Sequence, residues 1–109
     1  MRIWDINPKK LCRNHLLGEH RELHAVWAIL TKGKKGYSHH PETKRWRGKL
    51  KALYLRHYAL VDEMTKRGYN HNSELKKSIA KGASIQDVYI DKPRSQLKIL
   101  RNKKCDCKV

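Results

Sequence analysis

Residues 13–27 read RNHLLGEHRELHAVW. Leu16, Leu23 and Trp27, continued by Leu30 with Val26 beside them, recur at helical spacing and make one apolar face. The spacing predicts a helix over 13–31, ended by Gly33 and Gly36. Three polar residues of the same stretch also fall in line. His15, Glu19 and Glu22 are four and three residues apart, so they lie within roughly 60° on the helix surface, beside the apolar face. Arg21, Asn14 and Ala25 lie on their other side. Carboxylates at such a seam feel desolvation from one side and basic neighbours from the other.

Outward from this helix, residues 1–12 form an irregular leader, MRIWDINPKKLC. Pro8 opposes a long helix there. Ile3, Trp4, Ile6 and Leu11 predict that the leader is tied down against the body. After helix one, TKGKKGYSHH is a basic, glycine-punctuated loop that suits phosphates as well as solvent and matches no Walker pattern. Pro41 is well placed to open a second helix running to a cap at Gly68. Its inner face would be Trp46, Leu50, Leu53, Tyr54, His57, Val61 and Met64, with Lys49, Arg56 and Lys66 outward. Gly48 costs that helix about 1 kcal/mol and marks a possible close approach by another segment. SELKKSIAKG, with Ser73 near its start, predicts a short helix, and ASIQDVYID a short strand or extended connection. KPRSQLKILRNKK predicts a last helix from Pro93 with Leu97 and Leu100 inward. The expectation is an all-α, compact single domain over 1–109, with about three main helices, an N-terminal segment threaded between them and a basic tail over about 101–109.

The chain has 109 residues, with Lys plus Arg at 26 against 10 acids, a formal net charge of +16 and a pI near 10.1. Such an excess opposes compaction by self-repulsion, so a polyanionic partner is expected, nucleic acid ahead of a membrane surface. The basic residues are spread along the chain, not gathered on one amphipathic helix. No apolar run is long enough to span a membrane. The N-terminus lacks the pattern of a secretory signal. The three cysteines are an odd number and make no disulfide framework, so a reducing compartment fits. The expected location is the cytoplasm, at the nucleoid, or the host cytoplasm for a viral protein.

A metal reading of the helix-one stripe would take His15 and Glu19 as ligands at i and i+4. His20 and His24 point elsewhere, and HExxH and paired CxxC patterns are absent. Cys105 and Cys107 make a CxC pair with only the distant Cys12 as a partner, and read as part of a flexible tail. No metal and no cofactor are expected.

HLLGEHRELHAVW (15–27), EMTKRGYN (63–70) and the opening MRI together resemble the pyrimidine-dimer DNA glycosylases, the family of the phage endonuclease V enzyme. The resemblance runs in order over residues 1–72. It implies an all-α fold with the N-terminus threaded between helices. It implies a bifunctional chemistry in which the N-terminal α-amine attacks C1′ of a damaged nucleotide, releases the base and leaves an imine that permits β-elimination. Position by position, the catalytic glutamate falls on Glu22 and its DNA-contacting neighbour on Arg21. The motif's histidine falls on His15, the polar residue before it on Asn14, and the arginine after the nucleophile on Arg2. The nucleophilic position falls on Met1. A bulky Arg2 shields Met1 from removal, so Met1 itself would supply the amine. An α-amine has a pKa of about 7.7–8.0 against about 10.4 for lysine, so roughly a tenth is free base at neutral pH. Glu22 then has three tasks open to it: stabilising charge at the sugar, holding the protonated imine, and taking the proton lost in elimination. His15 and Glu19 are expected to support the pocket.

Two departures leave the lesion open. No arginine follows Glu22 within four residues, and the chain ends NKKCDCKV in place of an aromatic, glycine-containing tail. Arg2, Arg13, Asn14, Arg21, Lys32, Lys34, Lys35, Arg45, Arg47 and Lys49 are the candidate DNA contacts. The expected partner is double-stranded DNA, bent and with a flipped base, bound by a monomer. Two other readings stand beside the enzyme: a DNA-binding module that kept the fold without the chemistry, and a metal-dependent nuclease using His15, Glu19 and Glu22.

Overall fold

The structure, a computed structural model, describes residues 2–33, 36, 38–71 and 74–109. Met1, Lys34, Lys35 and Ser73, each given a place in the sequence reading, lie outside the described residues. The element order is a 3-10 turn at Pro8–Lys10, α1 at Arg13–Lys32, α2 at Pro41–Lys44, α3 at Leu50–Lys66, a second 3-10 turn at Lys77–Ile79, and α4 at Pro93–Arg101. The fold is all-α. Among the described residues the only β pairing is an isolated bridge between Lys49 and Gly82.

Helix α1 forms where its apolar spacing required it. Leu16, Leu23, Val26, Trp27 and Ile29 are buried on it. Gly33, at φ 64°, ends it in the left-handed conformation that a glycine adopts cheaply, and Lys32 complements the negative end of the helix dipole.

The single helix expected over 41–68 is two. Pro41 opens α2, and the His40 ring caps it by accepting from the Glu42 N–H. The chain leaves the α-helix after Lys44, turns through residues 45–48 and passes Gly48, φ 73°, before α3 begins. The physical reason is a distant segment. Residues 81–83 run alongside the break, and Ala83 N donates to Gly48 O at 2.9 Å. Lys81 O and Ala83 O accept from Lys51 N and Ala52 N at 3.0 and 3.1 Å, satisfying two N–H groups that open α3 without an intrahelical partner. The close approach anticipated at Gly48 is therefore backbone against backbone.

The short helix expected after residue 73 is one 3-10 turn, and ASIQDVYID is an irregular connection that forms no strand. Gln86 holds that connection to the body by donating to Arg45 O at 2.8 Å. Helix α4 matches expectation, with Leu100 buried and Leu97 packed against the core.

The leader lies between the helices. Ile3, Trp4, Ile6 and Leu11 are all buried, Ile3 completely. Each stretch of its backbone has a partner on a different element. Arg45, which caps the end of α2, donates to Ile3 O at 2.8 Å. Arg56 of α3 donates to Ile6 O at 2.7 Å. Asp5 N donates to the Gln96 side chain of α4 at 2.7 Å. Trp4 meets His15 of α1 edge-on, ring centres 5.8 Å apart. The tail also folds back. Lys108 N donates to Lys10 O at 2.8 Å, and Cys107 and Val109 pack against the core.

Candidate active site

Around α1, at 100° per residue, the core side, an open side and two flanks fall in turn. Asn14, Arg21, Ala25 and Lys32 share the open side and are all exposed. Glu22, Glu19 and His15 form one flank. His20 and His24 form the other, roughly 160–200° round from Glu22.

The three residues of the first flank have separate environments. Glu19 is 2% exposed and receives both ends of the Arg56 guanidinium, at 2.7 and 3.0 Å. Burial raises the Glu19 carboxyl above its ordinary pKa, and the Arg56 charge pulls against that rise. Arg56 was expected on the outer face of its helix. It turns inward because its long side chain can join Glu19 to Ile6 O, so the pair locks α1, α3 and the leader together. His15 faces the tail. Its Nδ1 lies 3.1 Å from Cys12 Sγ and 3.2 Å from Cys107 Sγ. Burial, then the Lys103 charge, hold its pKa below the usual value. Glu22 is half-buried, borders the open side, and makes no ion pair with any described residue. The stripe therefore does not converge on one point, and a metal held by His15, Glu19 and Glu22 has no geometric support.

The leader is pinned near the same flank by a second buried network. Arg45 pairs with Glu42 at 2.6 Å and with Asp5 at 2.9 Å. Glu42 also accepts from the Trp46 indole at 3.0 Å. Arg45 was expected to touch DNA. It is 7% exposed, and its guanidinium is spent on Glu42, Asp5 and the carbonyls of Ile3 and Val88. Lys49 is likewise engaged, with Gln86 at 2.7 Å and Asp87 at 3.0 Å. Of the other candidate contacts, Arg13, Asn14, Arg21, Lys32 and Arg47 are exposed. Arg2 is half-exposed, pairs with Asp91 at 2.9 Å and lies over the Trp4 ring at 5.0 Å.

Sequence reasoning missed what the other flank does. His20 and His24 meet His57 of α3 and His71. Burial, then His24 and His71, bring the His20 pKa down to about 4. Burial lowers His24 as well. The signal was present in the sequence. His20 and His24 stand at i and i+4, and His57 had been placed on an inner face. Likewise Cys12-x-x-His15 and Cys105-x-Cys107 are two chelating pairs whose meeting depends on the returning tail.

Residues 1–77 match the family model described as pyrimidine dimer DNA glycosylase. That span holds the leader, α1, α2, α3 and the histidine flank, and it leaves α4 and the cysteine pair of the tail outside. No match was found among curated proteins or among solved structures.

Proposed function

The chain belongs to the pyrimidine dimer DNA glycosylase family, and from that premise we propose a DNA glycosylase with abasic-site lyase activity that works through the Met1 α-amine. The observation that carries this reading is the anchoring of the leader. Ile3 is fully buried and its carbonyl is held by Arg45, while Ile6 is tied through Arg56 to Glu19 of α1. Residue 1 is two peptide links from Ile3, a reach of at most about 7 Å. Chain geometry alone therefore keeps the proposed amine within that distance of the anchored Ile3.

In the proposed reaction the free amine attacks C1′ as the bond to the damaged base breaks, its electron pair leaving on the base. The bound amine then gives up a proton, and its lone pair expels O4′ from C1′, opening the sugar ring to an iminium. The resulting iminium acidifies C2′. Loss of a C2′ proton then expels the 3′ phosphate and cuts the strand. Glu22 borders the open side of α1 and forms no ion pair with any described residue. Ionised, it stabilises positive charge at the sugar and imine, and it is the candidate acceptor of the C2′ proton. Arg21, Asn14 and Lys32 share the side that would face the backbone phosphates, with Arg13 and Arg47 near in character. Such a site requires the duplex to bend and a base to leave the stack, which a dimer with weakened pairing makes cheaper. Double-stranded DNA bound by a monomer is the working complex.

The test uses ultraviolet-irradiated duplex and, separately, duplex with an abasic site, each with borohydride. The expected result is a covalent adduct that peptide mapping places on residue 1. Glu22→Gln should keep DNA affinity within about threefold while losing cleavage by about a hundredfold or more, the range of a positioned acid–base group. An adduct on a lysine, or normal cutting by Glu22→Gln, would overturn the assignment. Binding without adduct or cutting would favour the non-catalytic module.

A further inference from the structure

We propose that Cys12, His15, Cys105 and Cys107 form a four-coordinate site for a zinc-type divalent metal ion that fastens the tail to the start of α1. The four ligand atoms lie within 4.8 Å of one another. Three cysteines and one histidine are a common donor set of closed structural zinc sites. With zinc–sulfur bonds of about 2.3 Å and zinc–nitrogen bonds of about 2.0–2.1 Å, tetrahedral sulfur and nitrogen ligands stand roughly 3.5 Å apart. The His15 Nδ1 contacts of 3.1 and 3.2 Å to the sulfurs of Cys12 and Cys107 need to open by only a few tenths of an ångström.

The surroundings suit a metal thiolate. Cys12 N donates to Cys107 Sγ at 3.1 Å, the kind of backbone N–H bond to a ligating sulfur that orients and stabilises it. Three thiolates around a dication leave one net negative charge, and Arg13, Lys103, Lys104 and Lys108 are its near neighbours in sequence. The ligands come from two short chelating pairs, with His15 and Cys107 92 residues apart, so the ion closes nearly the whole chain into a loop. Cys105 and Cys107 lie beyond the family-matched residues 1–77.

A different observation carries a second site of the same kind. His20, His24 and His57 bring their Nε2 atoms to pairwise distances of 3.2, 3.3 and 3.1 Å. A neutral imidazole nitrogen is either donor or acceptor, so a triangle of three cannot hydrogen-bond along all its edges. Three lone pairs directed at one ion remove that conflict. The corners of such a triangle are about 1.9 Å from its centre, so an ion just off its plane sits at the roughly 2.0–2.1 Å of a zinc–imidazole bond. His71, whose Nε2 is buried without a hydrogen-bond partner among the described residues, brings a fourth ligand atom within 4.8 Å of the other three.

Both sites are read without reference to cleavage. Protein grown with added zinc and purified without chelator is analysed for metal by mass spectrometry under native conditions. X-ray absorption gives the sulfur-to-nitrogen ratio of the shell. Two ions per chain, with an averaged shell of three sulfurs to five nitrogens, are expected. Cobalt substitution should add a thiolate-to-metal charge-transfer band. Cys105→Ser with Cys107→Ser should lose that band and one ion while keeping the other. His20→Gln with His24→Gln should do the reverse. One ion with a nitrogen-only shell overturns the cysteine site, and one with three sulfurs overturns the histidine site. Folded wild-type protein without metal, or with a Cys12–Cys107 disulfide, overturns the proposal for that site. Where a variant does not fold, the wild-type stoichiometry and shell decide.

Discussion

Glu19 and Glu22 stand one helical turn apart on α1 and meet different solvents. Glu19 is sealed against the Arg56 guanidinium, whereas Glu22 keeps access to the open side of the helix. Removing one partner of a buried ion pair leaves the other charged and unsolvated. Arg56→Ala should therefore destabilise the fold by about 3–5 kcal/mol, measured by urea unfolding. The double change Glu19→Gln with Arg56→Met should recover much of that loss. Glu22→Gln should move stability by no more than about 0.5 kcal/mol. The alignment of these carboxylates was legible from their spacing. Their division was not, because it depends on which long side chain of α3 reaches across, and a helical wheel assigns Arg56 to the outside. The same holds for His20 and His24. Their shared flank was readable, but His57 and His71 reach it only through the packing of α3 on α1 and the turn that follows α3.

At the scale of elements, the break between α2 and α3 shows a local signal with a distant cause. Gly48 was recognisable as a weak point in a helical pattern that otherwise continues through it. What opens the break is the strand-like run 81–83, which supplies acceptors to the first turn of α3. Two glycines face each other there with unequal tolerance. A Cβ on Gly48 meets nothing within 4 Å, so Gly48→Ala pays only for its positive φ, about 1 kcal/mol. A Cβ on Gly82, φ 93°, would overlap the Gly48 carbonyl oxygen. Gly82→Ala should cost at least about 2–3 kcal/mol, since strain and a backbone clash add. Thermal unfolding of the two variants side by side measures the difference. Equal losses would mean that 81–83 does not dock as described. Helix α4 raised no such conflict, because Pro93, Leu97 and Leu100 carry its start and inner face within nine residues.

Over the whole molecule, the net charge of +16 is divided between structure and surface. Arg45, Arg56 and Arg67 are committed to the leader, donating to the carbonyls of Ile3, Ile6 and Leu11. Total charge was legible from composition, but this division was not, since it follows from where the leader lies. It can be read in solution from the salt dependence of DNA binding. Arg21→Ala should weaken binding and reduce the slope of log K against log salt by about 0.9. Arg45→Ala should lower the unfolding midpoint and leave the slope of the folded fraction unchanged. The leader has a further property, which concerns time. Asp5 waits for Gln96, Lys10 for Lys108, and Cys12 for Cys107, which is 95 residues later. At about 5–20 residues per second, a ribosome delivers that last partner roughly 5–20 s after the first cysteine. Through that interval the leader can meet Arg45, Arg56 and Arg67, while Asp5, Lys10 and Cys12 still lack their later partners. Closure of these contacts therefore trails the synthesis of the leader by that interval, and a thiol or metal chelator competing for Cys12 has its best opportunity within it.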